Sequence, residues 1–195
     1  MKVPTIDLTQ LNNNGNPWPL YDPATAKKDC NVVKSIEAVY LFNGHKLTVK
    51  QARAAGRTIQ GPTGTGFTAR LFRAEGLVKK IDFITAEKQP VVSLEQMLHD
   101  GWFVGAFVDD GVLNAGPTPS GDKLYTGTHA IGLWGWRRSH TPRGILTWDH
   151  DSLFDGRRPA IVYGRQHVSF GPIEDAMEAY AGVGLWSGWA VKIPL

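Results

Sequence analysis

Residues 29–44 read DCNVVKSIEAVYLFNG, and this stretch decides the fold. Its apolar residues recur at helical spacing, which gives a predicted helix with a broad buried face. They are Val32, Val33, Ile36, Val39 and Tyr40. Asp29 belongs to the residue types that cap helix N-termini, and Gly44 supplies a left-handed stop. We therefore predict a buried helix over residues 30–42, with Cys30 in its first turn.

Cys30 is the only cysteine of the chain, so no intrachain disulfide can form. Thiolates are the reactive form of cysteine, and the positive end of a helix dipole stabilises a negative charge placed there. The unpaired backbone N–H groups of the first turn could also bind an oxyanion that forms beside the sulfur. On position alone, a small buried structural thiol is the more common alternative.

Further elements come in an α+β order, with helices first and strands later. Three more helices are predicted. The first covers residues 48–55, and the second follows the Gly-rich turn GPTGTG, includes Phe67 and ends at Gly76. The third begins at Ser93, where Gln96 would complete a capping box, and ends at Gly101. Strands are predicted at 102–109, 128–136, 144–150, 159–168 and, closing the chain, 187–195, with one more helix at 172–181. The sequence thus predicts N-terminal helices packed on a C-terminal antiparallel sheet.

His129 and Asp149 extend the argument from a thiol to a possible triad. His129 begins the strand THAIGLWGW, where an imidazole can serve as general base for a cysteine. The next strand, GILTWDH, reaches Asp149, which could hold the imidazole in one tautomer from an adjacent antiparallel strand. Asp151 shares a strand face with Asp149 by alternation, so it remains a second candidate for the acid.

The chain resembles the papain-like cysteine peptidases, nearest the bacteriocin-processing, double-glycine peptidases and related phage-encoded domains. Four segments carry the resemblance from residue 29 to the C-terminus: Asp29-Cys30 with its helix, GTGFTARLFRAEG at 64–76, THAIGLWGW at 128–136 and ILTWDHD at 145–151. Wall-lytic papain-like peptidases show a similar Asp-Cys helix and His strand. The resemblance implies a papain-like fold with Cys30, His129 and Asp149 as catalytic residues and without a metal or cofactor.

Two departures bear on activity. The processing peptidases place a glutamine six residues before the cysteine to complete the oxyanion hole, and here that position is Ala24, followed by Thr25. We expect Asn31 or Thr25 to be the residues that could compensate. The acid of these peptidases is normally followed by proline, but here His150 follows Asp149.

Composition fits one domain over residues 24–195, preceded by an Asn- and Pro-rich extended arm over residues 1–23. The net charge is +3, and basic residues occur only as scattered pairs, which argues against specific nucleic-acid binding. No window is apolar enough for a membrane span, and the N-terminus lacks the apolar core of a signal peptide. We expect synthesis in the cytoplasm, with incorporation into a virion as one later destination.

Two functions from different classes follow. The first is a cysteine hydrolase that cleaves an amide bond in a peptide or a peptidoglycan stem, for which the resemblance to phage-encoded domains suggests a phage origin. The second is a catalytically weak or inactive papain-like module of a phage particle, which contacts virion or tail proteins through the arm at residues 1–23.

Overall fold

One antiparallel sheet of six strands organises the part of the chain that the computed structural model describes. The described residues are 12–13, 16–17, 29–113, 127–137, 144–149 and 164–192. Within the expected arm, β1 (Asn12–Asn13) pairs with β2 (Asn16–Pro17) as a short antiparallel hairpin. The rest of the arm lies outside the described residues.

The main sheet places its strands in the order β3-β8-β4-β5-β6-β7, with every neighbouring pair antiparallel. Its strands are β3 (Asp82–Pro90), β4 (Phe103–Asp109), β5 (Thr128–Arg137), β6 (Gly144–Asp149), β7 (Gly164–Ser169) and β8 (Leu185–Lys192). Strand β8 inserts between β3 and β4, so it joins the edge strand β3 to the rest of the sheet.

Six α-helices accompany the sheet in the described residues. They are α1 (Cys30–Asn43), α2 (Val49–Ala55), α3 (Thr65–Ala74), α4 (Val91–His99), the short α5 (Asp110–Leu113) and α6 (Phe170–Ala181). The predicted α+β arrangement, with α1 packed on an antiparallel sheet, is confirmed. No helix in the described ranges combines the length and apolarity that crossing a bilayer requires.

The ends of the first three helices follow their local signals. Gly44 adopts a left-handed conformation, φ 69°, and its N–H donates to Tyr40 O, as the predicted stop requires. Thr48 and Gln51 form a complete capping box at the start of α2. Gly76, also left-handed at φ 69°, follows the end of α3.

Two local predictions were wrong. Helix α4 begins at Val91 rather than at Ser93, because Pro90 takes the N-cap position. The Ser93 hydroxyl donates to Pro90 O instead of starting a capping box with Gln96. Strand β3 was not predicted at all, because this edge strand is mostly exposed and lacks an alternating apolar pattern.

The sheet separates two hydrophobic cores. One core joins the apolar sides of α1, α2 and α3 to one face of the sheet, through side chains such as Phe72, Phe107 and Trp189. The other core joins α4 and α6 to the opposite face, through Leu94, Met177 and their neighbours. Helix α1 therefore lies between the sheet and two further helices, and residues 29–39, apart from Cys30, are buried.

Gly105 lets the first core close. A Cβ atom at Gly105 would lie 2.3 Å from the Trp189 ring, so only glycine leaves room for the indole against the β4 backbone. The Trp189 ring then meets Phe72 edge-on, at a centroid distance of 5.6 Å. This packing brings the indole N–H to the start of α1, where the candidate nucleophile lies.

Candidate active site

Cys30 is the first residue of α1 and is partly buried against the first core. The N–H groups of a helix's first turn have no partners within the helix, so they are available to a negative charge near the sulfur. Even charged side chains in the middle of α1 are buried. Lys34 is fully buried and donates to Glu37 Oε2 at 2.8 Å. The predicted placement of Cys30 at a helix start is confirmed.

Asp29 occupies the N-cap position, but its side chain makes no capping hydrogen bond. Its backbone, at φ −106° and ψ 0°, departs from the extended conformation that side-chain capping uses. Asp29 Oδ1 instead accepts from Arg53 Nε at 2.7 Å and from Arg53 Nη2 at 2.5 Å. The capping role expected of Asp29 is therefore replaced by a buried ion pair with α2.

Asn31 is fully engaged by the protein itself. Its Nδ2 donates to Thr63 Oγ1, to Gly64 O and to Thr68 Oγ1, at 3.1–3.3 Å. Its Oδ1 accepts from Trp189 Nε1 at 2.8 Å. The side-chain amide is thus a structural anchor, so the compensating oxyanion role expected of Asn31 could fall only to its backbone N–H in the first turn.

A buried hydroxyl pair extends this anchor along α1. Ser35 Oγ lies 2.7 Å from the carbonyl oxygen of Asn31 and 2.8 Å from Thr68 Oγ1. Thr68 belongs to α3, so α1 and α3 share a polar seam inside an otherwise apolar core. The Ser35–Thr68 bond, made in a low-dielectric interior, helps to hold the two helices in one relative position.

His129 is the second residue of β5 and is 1% exposed. It pairs with Val108 of β4, and Val108 belongs to the core on the α4 and α6 side. Its neighbour Ala130 belongs to the core on the α1 side. Because side chains alternate along a strand, His129 belongs to the face of the sheet opposite α1, one residue from the N-terminal end of β5.

Asp149 is the last residue of β6, the strand next to β5. The two strands pair Gly132 with Trp148. If this register continues by one residue, Asp149 lies opposite Ile131, which is two residues from His129 along β5. Positions related in this diagonal way lie on one face of an antiparallel pair, about 7–8 Å apart.

Several expected site residues lie outside the described residues: Thr25, Asp151 and Ala24, the position of the family's glutamine. Among the side chains that the structure does describe, no three histidine, cysteine, aspartate or glutamate residues come together as a metal-binding group would. Of the three residues expected to form the triad, the structure describes Cys30 at the start of α1, His129 on β5 and the backbone position of Asp149 on β6, and the strand register sets His129 on the face of the sheet opposite α1. Arg53, the partner of Asp29, gave no local sequence signal.

Comparison with known proteins decides the fold. The crystal structure of a Bacillus anthracis protein assigned to the C39-like peptidases superposes with a TM-score of 0.53 at 12% identity. The match covers 86% of this chain and 90% of that one. The fold is that of a C39-like peptidase. The papain-like fold inferred from the sequence is thereby confirmed.

A second similar structure is the peptidase domain of Streptococcus ComA, a bifunctional ABC transporter of a quorum-sensing pathway. It matches with a TM-score of 0.43 and 12% identity, over 91% of this chain and 96% of that domain. No protein-family model matches the sequence. No curated protein matches it either.

Proposed function

We propose that the protein is a cysteine hydrolase that cleaves an amide bond in a peptide or a peptidoglycan stem. The observation that carries the proposal is Cys30 as the first residue of a buried central helix, in a fold shared with a C39-like peptidase. Cysteine at such a position combines a nucleophile with N–H groups that can stabilise a thiolate and a tetrahedral oxyanion.

In the proposed reaction, Cys30 attacks the carbonyl carbon and His129 moves the proton. His129 first accepts the thiol proton and then gives it to the leaving amine, which leaves an acyl-enzyme for water to hydrolyse. Asp149, diagonal to His129 on the next strand, would orient the imidazole. Since α1 packs on the other face of β5, the imidazole must reach Cys30 around the end of the strand.

The test uses the full chain with peptide and peptidoglycan substrates. Cys30→Ala should abolish turnover, and His129→Ala should lower it by about 10²–10⁴-fold, the usual worth of a positioned general base. His45→Ala is the matched control, because His45 bonds Glu75 beyond the other end of α1 and is 56% exposed. Turnover that survives Cys30→Ala would exclude the proposal.

The second candidate is a weak or inactive papain-like module of a phage particle, motivated by Ala24 at the position of the expected oxyanion glutamine. Under this alternative, Cys30→Ala changes neither assembly nor any assayable function. Binding to virion or tail proteins would then depend on residues 1–23, and a chain lacking them should lose such binding while remaining folded.

A further inference from the structure

Arg53 is a buried guanidinium that joins the start of α1 to the loop of residues 58–64. Its Nη2 donates both to Asp29 Oδ1 and to Gly61 O, the latter at 2.9 Å. Its Nη1 donates to Thr58 O at 3.1 Å. One side chain of α2 therefore fixes the residue before Cys30 and two carbonyl groups of the loop at once.

The residue after Cys30 is tied to the same loop. Asn31 Nδ2 donates to Thr63 Oγ1 and to Gly64 O. Both sequence neighbours of Cys30 are thus bonded to the 58–64 loop, Asp29 through Arg53 and Asn31 directly. The loop is therefore linked to the first turn of α1 through both sequence neighbours of Cys30.

Stability alone does not explain the ion pair. Asp29 is fully buried, and its Oδ2 has no hydrogen-bond partner among the described residues. Burying a carboxylate and a guanidinium costs desolvation energy that their attraction often only offsets, and apolar replacements are frequently as stable. What such a pair does supply is a single geometry. The guanidinium group is planar and its N–H donors point in fixed directions, so its partners can bind it in only a few arrangements.

We propose that Arg53 is a positioning residue that holds the first turn of α1, and with it the Cys30 sulfur, against the 58–64 loop. The inference rests on the proposed function, because it treats Cys30 as the nucleophile. Arg53 acts through Asp29 and the loop carbonyls, and it does not contact the reacting atoms in this scheme. Misplacing a reacting group by about 1 Å can cost roughly a hundredfold in rate.

Arg70 provides a matched control on the same loop. Its Nε donates to Gly56 O at 2.7 Å and its Nη2 to Thr58 Oγ1 at 3.0 Å. It therefore also supports the loop, but from α3 and from an exposed position. Lysine at either position keeps the positive charge and removes the planar fork.

The experiment compares Arg53→Lys with Arg70→Lys in the full chain, by kcat and KM on a peptide substrate and by thermal unfolding. Iodoacetamide alkylation, followed by intact mass, adds a readout of Cys30 that needs no turnover, since Cys30 is the only cysteine. We expect Arg53→Lys to lower kcat about tenfold with KM within about threefold, and to slow alkylation about fivefold. Arg70→Lys should stay within about twofold on both measures.

Arg53→Met removes the charge as well as the planar group, so its kcat should be lower than that of Arg53→Lys. Both variants are assayed below their unfolding temperatures. Equal losses in Arg53→Lys and Arg70→Lys, or wild-type kcat and alkylation in folded Arg53→Lys, would overturn the positioning role. A wild-type protein without peptide turnover would remove the proposed function alone, because the alkylation comparison still decides whether Arg53 positions Cys30.

Discussion

Trp189 Nε1 donates a 2.8 Å hydrogen bond to Asn31 Oδ1, although 158 residues separate the two along the chain. Both residues are buried: Trp189 has no exposed surface, and Asn31 is 1% exposed. The bond joins the closing strand β8 to the turn of α1 that carries Cys30. Completion of the sheet by the C-terminal segment therefore fixes the helix on which the candidate nucleophile lies.

Trp189→Phe should destabilise the protein beyond the loss of ring volume. The substitution leaves Asn31 Oδ1 buried without its donor, and an orphaned buried acceptor costs about 1–3 kcal/mol. Trp186→Phe is the matched control: Trp186 is also fully buried, but it donates to Ser93 Oγ, which is only partly buried. Urea unfolding of both variants should show the larger loss at Trp189, and equal losses would contradict this account.

Gly105→Ala tests the contact that seats Trp189. The new Cβ would lie 2.3 Å from the indole ring, so the ring or the strand must shift. Overpacking of this kind typically costs about 1–3 kcal/mol in the free energy of unfolding. Because the indole also holds Asn31, we expect Gly105→Ala to slow peptide turnover as well as to lower the midpoint of unfolding.

Gly66→Ala is the control for that experiment. Gly66 is the second residue of α3, where an added Cβ meets only Arg70 Nη1, at 3.6 Å. Alanine is favoured over glycine by roughly 0.5–1 kcal/mol in the middle of a helix, and we expect a smaller gain of the same sign in the first turn. Gly66→Ala should therefore be neutral or stabilising in the same urea titration, and a loss as large as that of Gly105→Ala would show that the titration does not report the Trp189 contact.

Local signals accounted for much of the fold. The left-handed glycines Gly44 and Gly76 mark the ends of α1 and α3, and Thr48 marks the start of α2, because each of those signals acts within a few residues of the helix end. Strands β4, β5 and β6 were also recognised, to within a residue or two, since their apolar runs are bounded by turn residues. The position of Cys30 at a helix start followed from the same local pattern.

Long-range partners could not be read from local patterns. Asp29 looked like a cap, but its carboxylate binds Arg53, which lies 24 residues further on. Asn31 looked free to assist an oxyanion, but groups 32 to 158 residues away occupy its amide. Edge strand β3 owes its pairing to β8, a partner about a hundred residues downstream, rather than to its own sequence pattern.

The choice of acid is tested by Asp149→Asn and Asp151→Asn. Continued one step beyond the pair of Gly132 and Trp148, the β5–β6 register would set the backbone position of Asp149 diagonal to that of His129. An amide in place of the orienting carboxylate favours the wrong imidazole tautomer, and the loss reached about 10⁴-fold in kcat in one well-studied triad. We expect the large loss in Asp149→Asn, measured on a peptide substrate, with Asp151→Asn close to wild type. A reversed order would transfer the role to Asp151, and wild-type activity in both would remove the triad.

Ala24→Gln tests whether the protein is a slow enzyme that lacks one oxyanion donor. Removing such a donor costs about 2.7–4 kcal/mol of transition-state stabilisation, or roughly 10²–10³ in kcat. The side-chain amide of Asn31 is already held by Thr63, Gly64, Thr68 and Trp189, so it does not replace the glutamine. We therefore expect the wild type to turn over peptide slowly and Ala24→Gln to raise kcat.

Ala24→Asn, and Ala24→Gln in a Cys30→Ala background, are the controls for this gain. The shorter asparagine carries the same amide but should not reach the oxyanion, and without the thiol neither amide should produce turnover. A gain that requires both the longer glutamine side chain and the Cys30 thiol would indicate a donor acting on the tetrahedral intermediate. Unchanged or lower kcat in a folded Ala24→Gln variant would contradict the missing-donor explanation, and would favour the structural module if the wild type were also inactive.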